Sequence, residues 1–138
     1  NKESIWHIAT DYYIKWVKAK ALRDNTTAST AKFLYECTWC RFGCPIEVVS
    51  DQGIIYELSH CYAVLYKRNT PYYPEANVLA ESANKTLQHI LMKIVNENRA
   101  DCDQKLHNAL WAYRMTYKTV IRSTPFRMAF GLDAVMPI

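Results

Sequence analysis

The feature that most constrains this chain is a change of hydrophobic period part-way along it. Before residue 67 the apolar residues come mostly in short bursts; from residue 77 onward they recur every three or four positions. Residues 77–98 carry Leu79, Ala83, Leu87, Ile90, Leu91, Ile94 and Val95 on one stripe, and residues 103–118 carry Leu106, Ala109, Leu110, Tyr113 and Tyr117 on another. That spacing predicts two amphipathic helices in succession. Asp101 and Gln104 have the spacing of a capping pair for the second.

The first half reads as extended segments around one helix. Ile5, Trp6 and Ile8, then Tyr12, Tyr13, Ile14, Trp16 and Val17, are β-branched or aromatic, which predicts two strands with no strong turn signal between them. Asn25, Thr26 and Thr27 can cap a helix whose stripe is Ala31, Leu34, Tyr35, Thr38 and Phe42, with Gly43 and Pro45 as its stop. Residues 46–50 form a short strand ending at Asp51, with Gly53 as a turn. Residues 56–61 suit one helical turn, 62–67 a further strand, 70–77 a Pro-containing loop, and 125–130 a short last helix. Strands alternating with helices in this order give an α/β fold with a mixed central sheet covered by helices.

The chain has 138 residues, of which 50% are hydrophobic and 22% charged, so one domain spanning 1–138 with a real core is expected and disorder is not. A net charge of +4, without any block of Lys or Arg, permits a phosphate-rich partner but does not demand one. No apolar run has the length of a membrane span and no signal peptide is visible, so neither a membrane partner nor secretion is expected. The opening at Asn1 suggests a fragment. The odd count of five cysteines (Cys37, Cys40, Cys44, Cys61 and Cys102) argues against a disulfide framework and for a reducing, intracellular setting.

Two carboxylates stand out by position. Asp51 closes an apolar strand, the place where α/β sheets open into a ligand crevice. Glu81 lies near the start of the long helix, sharing a face with Asn77, Asn84, Lys85 and Gln88. A strand-end Asp and a helix-face Glu offer the hard oxygen ligands that suit Mg²⁺. Each also has a purely structural reading: Asp51 before Gln52-Gly53 as a turn former, Glu81 as a partner of the helix dipole.

Four blocks together resemble the integrases of gypsy-type LTR retrotransposons. TDYYIKWVKAKAL (10–22) is similar to their second and third core strands. CRFGCPIEVVSDQG (40–53) is similar to the strand carrying their second catalytic Asp. TPYYPEANVLAESANKTL (70–87) is similar to their active-site loop and the helix bearing the catalytic Glu, and LWAYRMTYKTVIRSTPFRMAFGLDAVMPI (110–138) to their closing helices. The resemblance covers nearly the whole chain. It implies the RNase H-like fold of an integrase core, with Asp51 and Glu81 as metal-binding carboxylates for Mg²⁺ or Mn²⁺. It further implies that Tyr72, Asn77, Asn84 and Lys85 face DNA, that element ends and target DNA are the partners, that a homodimer forms, and that no small-molecule substrate is involved. The activity implied is metal-dependent processing and joining of DNA ends, in the nucleus, for an element of plant-like character. The alternative is a non-catalytic remnant that binds nucleic acid or self-associates through Trp39 and Trp111.

The chain also departs from the family pattern. The first catalytic Asp and its strand have no counterpart here; Asp11 matches a residue that is not a metal ligand in the family, and its local reading is a carboxylate that orders a turn or pairs with Lys15. Twenty-nine residues separate Asp51 from Glu81, fewer than the family keeps. Val78 replaces a flexible Gly, and Glu75 a usual Gln. These losses predict that the fragment alone neither cuts nor joins DNA, since a two-metal clamp depends on its full ligand set. Cys37, Cys40 and Cys44, with His60 or Cys61, have zinc-like spacing, but Trp39 and Phe42 among them read as core. Lys118, Arg122 and Arg127 form a basic cluster best read as solvated surface.

Overall fold

The structure, a computed structural model, describes residues 5–50, 65–68, 74–94 and 101–135. Strands β1 (Ile5–Thr10) and β2 (Val17–Leu22) pair as a two-stranded sheet. The six residues between them are too few for the crossover that a parallel pair needs, so the pair is an antiparallel hairpin. Side-chain chemistry makes its turn. Oδ1 of Asp11 accepts the backbone N–H of Tyr13 and of Ile14, each at 2.9 Å. The Asp11 N–H donates to the Trp16 carbonyl at 2.8 Å, and the Lys15 N–H to the Asp11 carbonyl at 3.1 Å. Lys15 takes a φ of 59°, in the left-handed region that non-Gly residues rarely enter. Tyr12 to Trp16 are therefore turn, and the second strand starts at Val17 rather than at Tyr12. An Asp that bonds its own following amides turns the chain without Gly or Pro.

Helix α1 (Thr27–Leu34) starts at the Thr26 cap, whose hydroxyl accepts the Ser29 N–H at 3.3 Å. Asp24 braces this cap: its Oδ1 accepts the Ser29 hydroxyl at 2.5 Å, the Thr26 hydroxyl at 2.8 Å and the Thr26 N–H at 3.1 Å. The Ser29 bond, then those from Thr26, hold its carboxyl below the ordinary carboxylate range. The helix then runs through a π-helical turn, Tyr35–Trp39, into α2 (Cys40–Phe42), and stops at Gly43 with φ 87°. A π turn rotates everything after it relative to an α-helical stripe. Phe42, which follows it and was expected inside, is accordingly exposed; Tyr35, at its first position, is exposed too, and Trp39 is buried.

Strand β3 (Glu47–Ser50) pairs in parallel with β4 (Leu65–Arg68), from Glu47 opposite Leu65 to Ser50 opposite Arg68. Both kinds of pairing found in a mixed sheet are thus present, as separate pairs among the described residues. Helix α3 (Pro74–Ile94) begins three residues earlier than its stripe suggested. Pro is well placed there, because a first-turn residue needs no N–H partner. Helix α4 (Cys102–Met115) begins at Asp101, whose side chain makes no capping bond. With φ −103° and ψ 10°, Asp101 lacks the extended geometry that aims a capping side chain at the next amides. Helix α5 (Pro125–Phe130) matches its predicted limits; the Thr124 hydroxyl accepts the Arg127 N–H at 3.1 Å, and Gly131 closes it with φ 75°.

The chain divides into two compact units. One holds residues 1–7 and 20–79, with Phe33, Leu34 and Trp39 in its core. There His7 is buried, its Nε2 lying 2.9 Å from the Thr30 hydroxyl and its ring against Phe33. The other holds residues 8–19 and 80–138, with Trp16, Val17, Ala83, Leu87, Leu91, Leu106, Ala109, Leu110 and Tyr113 buried. Ala83, Leu87 and Leu91 follow i, i+4, i+8 spacing on α3, and Leu106, Ala109, Leu110 and Tyr113 do the same work on α4. Tyr117 falls after α4 ends and is exposed. Arg114 fastens α4 to the hairpin: its Nη2 and Nε donate to the Val17 carbonyl at 2.7 and 3.2 Å, and its guanidinium sits 4.4 Å from the Trp16 ring centre. Among the described residues no helix is long and apolar enough to cross a membrane.

Candidate functional site

The burial of Ala83, Leu87 and Leu91 fixes which side of α3 faces outward. Glu81, Ser82, Lys85, Gln88, His89, Met92 and Lys93 are exposed, and Asn84 is half-buried beside them. Asn77 is in the first turn of the helix. Counting in steps of three and four from it reaches Glu81, Asn84, Lys85 and Gln88, so these positions share one side. The rise from Glu81 is about 4.5 Å to Asn84 and about 6 Å to Lys85.

The earlier start of α3 changes the meaning of Glu81. With Pro74 as first residue, Glu81 opens the third turn rather than lying in the first. The helix dipole acts on charges within the first or last turn, so it gives no reason for a carboxylate here. An exposed carboxylate beside a half-buried amide supplies hard oxygen donors of the kind Mg²⁺ and Mn²⁺ accept. Asp51 and Tyr72 lie outside the described residues, as do His60 and Cys61. β3 runs to Ser50, the last described residue before Asp51.

The carboxylate at position 11 has a settled local job. Its two bonds to Tyr13 and Ile14 organise the hairpin turn, which is the structural reading of Asp11 and not a metal ligand's role. Cys37 is half-buried, Cys40 and Cys44 are exposed, and all three are free thiols. Among the described residues no three His, Cys, Asp or Glu side chains gather as a metal-binding group. In the C-terminal basic cluster, Arg127 pairs with Asp133 at 3.7 Å in an exposed bridge. Lys118 places its Nζ 3.8 Å from the Tyr113 ring centre. Burial lowers the Lys118 pKa and raises that of Tyr113.

Sequence reasoning missed a group in the second unit. Trp16, Phe130, Phe126 and Trp111 form a chain of ring contacts, with centres 5.6, 4.8 and 6.2 Å apart in that order. Trp16 is buried at one end and Trp111 exposed at the other. Ninety-seven positions separate Val17 from Arg114, so no local pattern could have linked the hairpin to α4.

No family model matches the chain. Over 131 residues it is 28% identical to the Gag-Pol polyprotein of Avian reticuloendotheliosis virus, covering 91% of this chain and 11% of that protein. Over 131 residues it is 27% identical to the Pol polyprotein of Feline endogenous virus ECE1, covering 90% of this chain and 12% of that one. The chain thus spans about a tenth of these relatives. A chain of the simian T-cell lymphotropic virus intasome, solved in complex with the PP2A regulatory subunit B56 gamma, superposes with a TM-score of 0.78 at 21% identity, over 98% of this chain and 51% of that one. The BIV integrase catalytic core gives 0.74 at 18% identity over 91% of this chain and 84% of that one. The HTLV-2 integrase catalytic core in complex with magnesium, in its trimeric form, gives 0.71 at 15% over 90% and 83%.

This chain has the RNase H-like fold of a retroviral-type integrase core. The likeness in sequence is to retroviral Gag-Pol and Pol polyproteins, and the likeness in structure is to integrase cores. In that frame α3 is the helix whose exposed side carries Glu81, Asn84 and Lys85.

Proposed function

We propose that these 138 residues form the integrase core of a gypsy-type retrotransposon of plant-like character, which acts on DNA by divalent-metal-dependent polynucleotidyl transfer. The observation that carries the reading is Glu81. It is an exposed carboxylate on α3, in a chain with the fold of integrase cores.

Asp51 and Glu81 are the carboxylates that would hold Mg²⁺ or Mn²⁺. When bound, the metal would polarise a phosphoryl oxygen and stabilise charge on the oxygens of the reacting phosphate. Lys85, one helical turn beyond Glu81, binds phosphate of the DNA end, while Asn77 and Asn84 hydrogen-bond the backbone from the same side of the helix. Tyr72, which precedes α3 in sequence, packs against DNA in this reading. Element ends and target DNA are the substrates, and the nucleus is the site of action. The HTLV-2 cores with magnesium have been solved in dimeric and trimeric forms. A second copy of this chain packs on the exposed Trp111 side of α4; Trp39 is buried and unavailable for that contact.

The family's first Asp has no counterpart among these residues, so in this reading the 138-residue chain binds DNA without joining it. The test measures DNA binding and strand transfer with and without Mg²⁺ or Mn²⁺, for the chain and for Glu81→Gln. We expect binding that weakens steeply with salt, a metal-dependent component that is lost in Glu81→Gln, and no strand transfer. Binding indifferent to metal and to Glu81→Gln would favour a non-catalytic binding module. Strand transfer by the chain alone that depends on Glu81 would refute the need for a further Asp.

A further inference from the structure

The exposed side of α3 continues well past the residues assigned to the site. Lys85, His89 and Lys93 stand four positions apart, and each is exposed. At about 100° per residue, Lys85 and His89 each lie about 160° around the helix from Leu87, whose side chain is fully buried. Both therefore point almost straight away from the core. Lys93 follows one turn further on, so the row rises about 6 Å at each step and about 12 Å in all. Glu81 opens the same row one step earlier.

Charge sets this row apart from an ordinary solvated face. A solvated helix side carries acids among its bases, at the spacing that pairs them. No Asp or Glu occurs from Ser82 to Ile94. Among the described residues no ion pair or hydrogen bond engages the side chains of Lys85, His89 or Lys93. By contrast, Lys20 and Lys32 flank Glu36 at 3.6 and 3.8 Å. The exposed neighbours of the row, Ser82 and Gln88, carry neutral hydrogen-bond donors. Cations in line, with donors beside them and no acid among them, match an extended anion that repeats its charge. One strand of a DNA duplex carries a charge per about 3.4 Å of axis, so the row runs beside about three phosphates. An acidic protein surface repeats its charge less regularly. Only a phosphate chain continues from the reacting phosphate that the proposed site holds at Glu81.

We propose that Lys85, His89 and Lys93 form a phosphate track, along which one strand of duplex DNA runs from Glu81 toward the carboxyl end of α3, with His89 and Lys93 as contacts beyond the site. This rests on the reading of α3 as the DNA-facing helix and lengthens the bound segment. The test is fluorescence anisotropy of the full chain with a labelled DNA duplex over a series of salt concentrations. It compares wild type, Lys93→Gln, His89→Lys and, as a control with the same change of charge as Lys93→Gln, Lys32→Gln. All three positions are exposed, so folding should be unaffected, and unchanged circular dichroism verifies this. Lys93→Gln should lower the slope of log affinity against log salt by about 0.9, the share of one duplex phosphate. Lys32→Gln should leave that slope as it is. His89→Lys places a permanent charge mid-row and should tighten binding and steepen the slope. An unchanged slope in Lys93→Gln, equal losses in Lys93→Gln and Lys32→Gln, or weaker binding by His89→Lys would overturn the track. If Glu81→Gln still removes the metal-dependent component of binding, the track fails alone. If the wild-type chain does not bind the duplex, the nucleic-acid reading fails with it.

Discussion

Arg114→Met keeps an unbranched apolar stem of similar reach and removes only the guanidinium. Two things are lost with it. One is the pair of charge-assisted bonds to the carbonyl of Val17, a residue with no exposed surface. Both bonds share one acceptor, so they count as one strong interaction of about 2 kcal/mol. The other is the stack over Trp16 at 4.4 Å, which adds about 1 kcal/mol at a partly desolvated site. The total is about 3 kcal/mol, or a fall in Tm of roughly 10 °C for a chain of this length. Thermal and urea unfolding, followed by far-UV circular dichroism and Trp emission, measure it. Arg114→Lys should fall between, because an ammonium can donate to the carbonyl but cannot stack as a plane. An Arg114→Met variant within about 0.5 kcal/mol of wild type would refute the claim that this residue ties α4 to the hairpin.

Other consequences are simpler to read. Leu87→Ala empties a fully buried position on α3 and should cost about 2–5 kcal/mol in urea unfolding, whereas Leu132→Ala, at a position 65% exposed, should change stability by less than about 0.5 kcal/mol. Asp24 is held below its ordinary 3.8 by Ser29 and Thr26, so its contribution is complete above that value and fades as the pH falls through the lower folded-state pKa. The difference in Tm between wild type and Asp24→Asn should therefore be constant near neutrality and shrink in acid; a difference that grows in acid would contradict the network. Trp111→Ala should shift light-scattering mass toward monomer, and an unchanged mass would remove Trp111 from the proposed contact.

The long-period half of the fold was legible because burial there follows simple helical spacing. Ala83, Leu87, Leu91, Leu106, Ala109, Leu110 and Tyr113 were expected inside and are inside, whereas Ile94 and Tyr117, at the far ends of the two stripes, are exposed. The first half was harder for two physical reasons. Asp11 builds a turn from its own side chain, so Tyr12 to Trp16 looked extended. The π turn at Tyr35–Trp39 shifts the helical phase, which turns Phe42 outward and cannot be seen from a stripe that assumes one period throughout. At the candidate site, spacing placed Glu81, Asn84 and Lys85 on one side of a helix, and the structure puts Glu81 and Lys85 on its exposed face. Sequence set Glu81 too close to the helix start, because a Pro read as loop is the first helical residue. Asp51 and Tyr72 rest on resemblance alone and lie outside the described residues.

Mn²⁺ binding, followed by electron paramagnetic resonance on the wild-type chain and on Asp51→Asn, Glu81→Gln and Asp11→Asn, tests the proposed metal chemistry most directly. The account predicts that the first two substitutions each abolish the bound-ion signal, while Asp11→Asn leaves it in place. Retention of the signal in both Asp51→Asn and Glu81→Gln, or its loss in Asp11→Asn with the hairpin still folded, would contradict it.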